Sequence, residues 1–306
     1  MSNTIGRCTP QILRNYPTPL SPPLSAISKD VELARAMSAS SRSSLFVLSR
    51  SQVVYEDQWL IAVNKPSGVY CEAVLNNVPT LLNTDSPLQE LHLANRLDRD
   101  TSGVMIITKS HKAAANLVKA FTSHEVKKSY IALCTGAAPR WRRTTLKSGH
   151  GRSKFGAWRV YASSDVGRSL PGGSTVREME TTMELVSVNG RRVSEDEEGV
   201  GEDVCVVEEK SEIVGDMEDE VVVRAFPKSG RTHQIRLHCQ YLGIPVNGDV
   251  KYGGVLEWKG KEYEGHQLHA ESVALSHPIT ATPLLISSPF PFWATEAFQK
   301  MNYHNC

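Results

Sequence analysis

The apolar residues of this chain come in short runs, such as LFVL at 45–48 and VMII at 104–107, each broken by polar or turn-forming residues. Runs of that length suit strands, and none approaches the roughly 18 residues that a membrane-spanning helix requires. No membrane partner is therefore expected. With 306 residues, 40% of them hydrophobic, the chain is long enough to bury a sizeable core.

The strand-like segments recur along most of the sequence. Val53–Tyr55 and Leu60–Val63 form a predicted hairpin turning at EDQ. Met105–Thr108, Tyr130–Cys134, Phe155–Tyr161, Met179–Val188, Val221–Phe226 and Leu268–Leu275 add further strands, several with two-residue alternation. Two segments read as helices instead. Ser110 can cap one whose Ala114, Leu117, Val118 and Phe121 recur at helical spacing. Thr232 can cap a second, with Ile235, Cys239 and Leu242 inward, Gly243 at its end, and Arg236 at the rim of the buried stripe. The pattern predicts an α+β fold: a mixed, mainly antiparallel central sheet flanked by helices and loops.

The expected organisation is an N-terminal arm over 1–43, partly disordered, followed by a catalytic domain over 44–306. The first 29 residues carry no acid, which loosely fits an organelle-targeting segment, but the prolines of NYPTPLSPPLS favour an arm lying on the surface. Six scattered cysteines, without CxxC pairs or zinc-like histidine spacing, indicate a reducing compartment, cytoplasmic or organellar, and neither a disulfide framework nor a structural zinc.

The net charge of +1 conceals a division. Between Ser194 and Glu220 there are 13 acids and one base, Lys210, leaving 33 bases against 20 acids elsewhere. The segment 194–220 lacks aromatic residues and reads as an acidic mobile insertion. From Val126 to Ser164 there is no acid, while nine bases are interleaved with Trp141, Phe155 and Trp158. That mixture suits RNA, since cations meet phosphates and aromatic faces accept unpaired bases. Neither GxxxxGK[ST] nor a strand-flanked GxGxxG is present, so no nucleotide cofactor is expected.

The most charged short stretch is NRLDRDTSG at 95–103. With the residues that follow, NRLDRDTSGVMIITKS resembles the central motif of the RluA-type RNA pseudouridine synthases, written HRLD, two residues, then TSG. YEDQWLIAVNKPSGV, VKKSYIALCTG and SGRTHQIRLHCQYLGIPVNGDVKYGG, followed by LHAESVALSHPIT, resemble the rest of that signature in the same order. The likeness spans about residues 50 to 295, and it departs at Asn95, where the pattern has histidine.

The resemblance implies isomerisation of specific uridines in RNA, without cofactor or metal, by the pseudouridine synthase catalytic fold. It implies Asp98 as the catalytic carboxylate, Arg236 as its ion-pair partner, and Tyr130 as the aromatic that stacks on uracil and helps move the carbon-5 proton. Arg96, Arg99, Arg231, Gln234 and Lys128 are the expected substrate-binding residues, with ribosomal or transfer RNA as the partner of a monomer. The chemistry agrees: a sugar carbon with oxocarbenium character calls for an ionised carboxylate, and a nearby arginine favours that form. Attack by Asp98 on the sugar and stabilisation of a glycal-like intermediate both remain open. Arg96 could fill the space left by a flipped base. Asp100 reads as turn-forming, Gly103 and Gly230 as turn glycines, and Lys65-Pro66-Ser67-Gly68 as a structural loop. Two other functions fit the residues: a metal-dependent nuclease using Asp98, Asp100 and His233 or His238, and a non-catalytic RNA-binding protein.

Overall fold

The computed structural model describes residues 16–23, 26–82, 90–193, 202–211 and 219–303. In chain order, helix α1 (Ala26–Ser44) precedes strands β1 (Val53–Glu56) and β2 (Leu60–Lys65), helix α2 (Cys71–Leu82), strands β3 (His92–Leu93) and β4 (Ser102–Thr108), and helix α3 (His111–Thr122). A run of strands follows: β5 (Lys127–Gly136), β6 (Arg143–Arg152), β7 (Trp158–Tyr161), β8 (Arg177–Val188), β9 (Arg191–Arg192), β10 (Glu202–Val206) and β11 (Asp219–Pro227). Helix α4 (Gln234–Tyr241), the short pair β12 (Glu257–Trp258) and β13 (Lys261–Glu262), strands β14 (Leu268–Ser276) and β15 (Pro283–Ser287), and helix α5 (Phe292–Tyr303) come last.

Thirteen strands form one sheet with the main order β1-β2-β4-β14-β5-β11-β8-β6-β10, as the α+β reading expects. Its pairings are antiparallel except β14 with β4 and β10 with β6. β4 shows why the centre holds. All seven of its residues are buried, and strand alternation sends Met105 and Ile107 to Val74 and Val78 of α2, while Val104 and Ile106 meet Ala113 and Leu117 of α3. Each such side chain contributes about 1.5–3 kcal/mol by leaving water. Gly103 is fixed by a close approach rather than by a turn: its φ is +109°, and a Cβ there would lie 2.2 Å from the Ala270 carbonyl oxygen of the neighbouring β14.

Several expectations need correction. Ser110 does cap α3, accepting from the Ala113 amide, but the buried residues are Ala113 and Leu117 while Val118 is exposed. Thr232 does not cap α4. His233 occupies the N-cap in the left-handed region (φ +59°), and Gln234 to Gln240 are all buried, because α4 packs Ile235 and Cys239 on one core and Leu237 against Val160, Val207 and Tyr252 of another. Arg236 is thus inside the protein and not at a rim.

The acidic segment is not wholly a solvated loop. Residues 202–206 form β10, paired in parallel with β6, and Val207 is fully buried beside Leu237 and Tyr252. Cys205 and Val207 turn inward while Val204 and Val206 face solvent, an alternation that the surrounding acids obscure. Asp219 and Glu220 belong to β11, and 194–201 and 212–218 lie outside the described residues. The arm is also structured in part: Leu20 donates to Val160 O, Ser21 takes Arg159 Nε at 2.9 Å, and α1 begins at Ala26. Residues 1–15 lie outside the described residues.

Candidate active site

The charged stretch that opens the family-like motif is the loop from β3 to β4, and its charges point in three directions. Asp98 faces a cavity of about 480 Å³ lined by Arg96, Thr101, Lys128, Tyr130, Arg231, His233 and Arg236, among others. Arg96 is on the lip, its side chain 75% exposed, and pairs loosely with Glu72. Arg99 and Asp100 turn away from the cavity: Arg99 donates from Nε and Nη2 to the Asp100 carboxylate and reaches Glu32 of α1. Arg99 is therefore turned away from the cavity, and Asp100, which does lie in a turn, is also a buried ion-pair partner.

The loop is pinned along its length. Asn95, standing where the pattern has histidine, accepts from the Ile106 amide at 2.8 Å and donates to Val104 O, tying the loop to β4. Buried Lys65 donates to three carbonyls, those of Pro66, Val69 and Arg99, and Ser67 Oγ donates to Asp100 O. These bonds give the KPSG segment its structural task, and burial holds the Lys65 ammonium down at about 8. With the backbone on both sides of Asp98 fixed, its side chain has little choice of direction.

Arg236 reaches Asp98 from α4. Its Nη1 donates to Asp98 Oδ2 at 2.8 Å, while Nε and Nη2 grip both oxygens of Asp249 at 2.6 and 2.9 Å. The bidentate pair with Asp249 fixes the plane of the guanidinium, leaving one edge for Asp98. Burial works against ionising Asp98, yet the charges of Arg236 and its neighbours outweigh it and hold the carboxyl well below its ordinary range. Asp98 is thus an anion at neutral pH, its side chain 26% exposed.

Tyr130 of β5 lies in the cavity wall; burial, reinforced by the charge of Asp98, pushes its phenol well above the ordinary value. It stays protonated at neutral pH, which favours stacking over a role as base. Lys128 lines the same wall and donates to Ser229 O, and burial lowers it to about 8. Arg231 Nε donates to Glu178 O beside the opening. Gln234 is at the cavity but its amide is consumed: Oε1 accepts from Ser229 Oγ and the Arg231 amide, and Nε2 donates to Glu180 O and Thr181 Oγ1. It shapes the loop and has no group left for RNA.

Asp249, the residue that orients Arg236, was not singled out from the sequence, although it sits in the NGDVKYGG segment. Nor was Tyr252, whose ring lies under the Arg236 guanidinium at 5.1 Å. A buried arginine needs more than one acceptor, and that need was the available signal.

The metal arrangement considered for a nuclease is not assembled. Asp98 and Asp100 are each taken by a different guanidinium, and His238 is bonded on both nitrogens, to Ser148 and Thr181. Among the described residues, Glu90, His92 and His111 do bring one donor atom each within 4.8 Å of one another, but they are half-exposed and the His111–Glu90 pair is already formed at 2.9 Å. In the basic run, Trp141 packs on the core, Trp158 stacks on His150, and Arg159 is buried. Phe155, 85% exposed at the tip of the β6–β7 hairpin with Lys154 beside it, is the aromatic left open to a base.

Residues 59–241 match the family model described as RNA pseudouridylate synthase. The chain belongs to that family. The enzyme is similar to RNA pseudouridine synthase 1 of Arabidopsis thaliana, with 62% identity over 289 residues, covering 94% of this chain and 89% of that protein. It is also similar to ribosomal large subunit pseudouridine synthase C of Vibrio vulnificus, at 25% identity over 278 residues, 88% of this chain and 73% of the relative. The solved structure of human RNA pseudouridylate synthase domain containing 4 shares the fold at a TM-score of 0.57 and 18% identity, covering 89% of this chain and 98% of that one. The enzyme is an RNA-directed isomerase of the RluA type, and no helix among its described residues is long and apolar enough to cross a membrane.

Proposed function

We propose that Asp98 is the carboxylate that acts on the ribose of a flipped-out uridine, with Arg236 holding it ionised and Tyr130 stacked on the uracil. The observation that carries this reading is the Asp98–Arg236–Asp249 arrangement at the floor of the cavity. Isomerisation breaks the bond from the sugar to nitrogen, turns the uracil and rejoins it through carbon-5, with no change of oxidation state. Attack at the sugar carbon and stabilisation of a glycal-like intermediate both require the ionised acid. A cavity of about 480 Å³ is on the scale of one nucleoside and not of a duplex, so on this reading the target base leaves its stack. Arg96 fills the vacated space from the lip: its surface pair with Glu72 is weak and releases it readily. Lys128 and Arg231 meet the flanking phosphates.

The relatives named for the ribosomal large subunit support ribosomal RNA as the substrate, with transfer RNA the other candidate. A monomer is the proposed working unit. The test is release of tritium from ribosomal RNA and, separately, transfer RNA labelled at carbon-5 of uridine, in EDTA. Release from ribosomal RNA is expected. Release from transfer RNA alone would correct the substrate, and cleavage of either RNA without release would overturn the reading.

A further inference from the structure

His233 stands at the N-cap of α4 with φ at +59°, a left-handed conformation that histidine tolerates better than most residues. This places its ring between two groups. Nδ1 lies 2.7 Å from the hydroxyl of Tyr252, and Nε2 faces Oδ1 of Asp98 at 3.9 Å. Oδ1 is the carboxylate oxygen that Arg236 leaves unbonded, since Nη1 donates to Oδ2.

The tautomer follows from the accounting of protons. Tyr252 is 1% exposed, and among the described residues its hydroxyl has one hydrogen-bond partner, Nδ1 of His233. Were Nδ1 the donor, the buried O–H would have no acceptor, a costly arrangement. The hydroxyl therefore donates to Nδ1, and the ring proton is on Nε2, directed at Asp98. Burial, and then the charge of Arg236, lower the ring to about 3, so it is neutral at physiological pH. A neutral N–H can orient a carboxylate without protonating it.

We propose that His233, held as its Nε2–H tautomer by Tyr252, is a positioning residue that donates to Oδ1 of Asp98 when a nucleoside fills the cavity, and so aims that oxygen at the sugar. The gap of 3.9 Å closes by a small rotation of the Asp98 carboxylate, as such bonds commonly tighten on substrate binding. Arg236 then sets the charge and one oxygen, and His233 the direction of the other. The inference rests on the reading of Asp98 as the catalytic carboxylate.

Two variants separate positioning from folding. His233→Asn accepts the left-handed backbone but is too short to reach Asp98; His233→Gln carries an amide N–H about where Nε2 lies. With carbon-5-tritiated cellular RNA, His233→Asn should lower kcat by about 10- to 100-fold, the worth of one hydrogen bond to a charged group, with KM within about threefold of wild type. His233→Gln should recover most of the loss, at a melting temperature no higher than that of the Asn variant. A wild-type kcat for His233→Asn, a loss confined to KM, or a Gln variant no better than Asn would overturn the proposal. Asp98→Asn in the same assay keeps the two readings apart: if it stays active, the catalytic assignment fails, whereas an inactive Asp98→Asn beside a fully active His233→Asn refutes only the role of His233.

Discussion

Replacing Arg236 by glutamine removes the cation that keeps Asp98 ionised, and the structure sets the size of the effect. The guanidinium meets the carboxylate with Nη1 at 2.8 Å from Oδ2, which puts the centres of charge about 4 Å apart. At an effective dielectric of roughly 20, that attraction is about 4 kcal/mol, equivalent to about three pH units in the ionisation of the acid. Without it, burial acts largely unopposed, and the charge of Asp249 adds repulsion, so half-ionisation of Asp98 moves up by several pH units, towards the ordinary carboxylate range and beyond. The sign is fixed: protons are gained as pH falls, so the variant loses activity on the acid side. In single-turnover tritium release from pH 5 to 8, wild-type kcat should have no acid limb from this residue, because its carboxyl is held below the ordinary range. Arg236→Gln should acquire one, while Arg236→Lys, which keeps the charge, should show less of it. Loss of the bidentate contact with buried Asp249 destabilises the variant by about 3–5 kcal/mol, so the assay is run well below its melting temperature. Parallel profiles for wild type and Arg236→Gln would refute the electrostatic reasoning.

Gly103→Ala should unfold the protein or lower its melting temperature sharply, since the added methyl would lie 2.2 Å from a backbone oxygen of β14; a circular-dichroism melt checks this. Lys65→Met keeps the bulk but leaves the Pro66 and Val69 carbonyls without this donor, Arg99 O keeping the Gly68 amide, and should cost about 3 kcal/mol or more in denaturant titration. Asp98 and Asp249 both ionise more readily in the folded state, so their contribution to stability is complete above the unfolded carboxylate value of about 4 and is lost as pH falls through their lower folded values. The melting temperature should thus decline below about pH 4, and less steeply in Asp249→Asn, which starts from a lower plateau.

The sequence made the pairing of Asp98 with Arg236 legible because both sit in long motifs, and most of the strands were legible because Val and Ile alternate along them. What escaped it arises from long-range packing. Whether Arg99 faces RNA or Asp100 depends on α1, which brings Glu32 against it from 67 residues away. The burial of Arg236 depends on α4 being covered from more than one side, which a helical wheel cannot show; a wheel gives one face where the protein covers all of them. The conformation of His233 follows from a left-handed backbone that no local pattern signalled. In the acidic segment, composition masked the inward pair Cys205 and Val207, whose burial depends on β6 lying alongside. Of the aromatics interleaved with the basic run, Phe155 stands exposed beside Lys154, whereas Trp141 packs on the core and Trp158 stacks on His150.

The most direct test is to measure RNA affinity and uridine conversion together for Asp98→Asn. The amide keeps the shape of the side chain and abolishes its charge. Binding should stay within about threefold of wild type, because Lys128 and Arg231, the groups proposed to meet phosphate, line the cavity apart from Asp98, while conversion should fall by about a thousandfold or more. Conversion at the wild-type rate by a variant that binds RNA normally would contradict the central claim that an ionised Asp98 performs the chemistry.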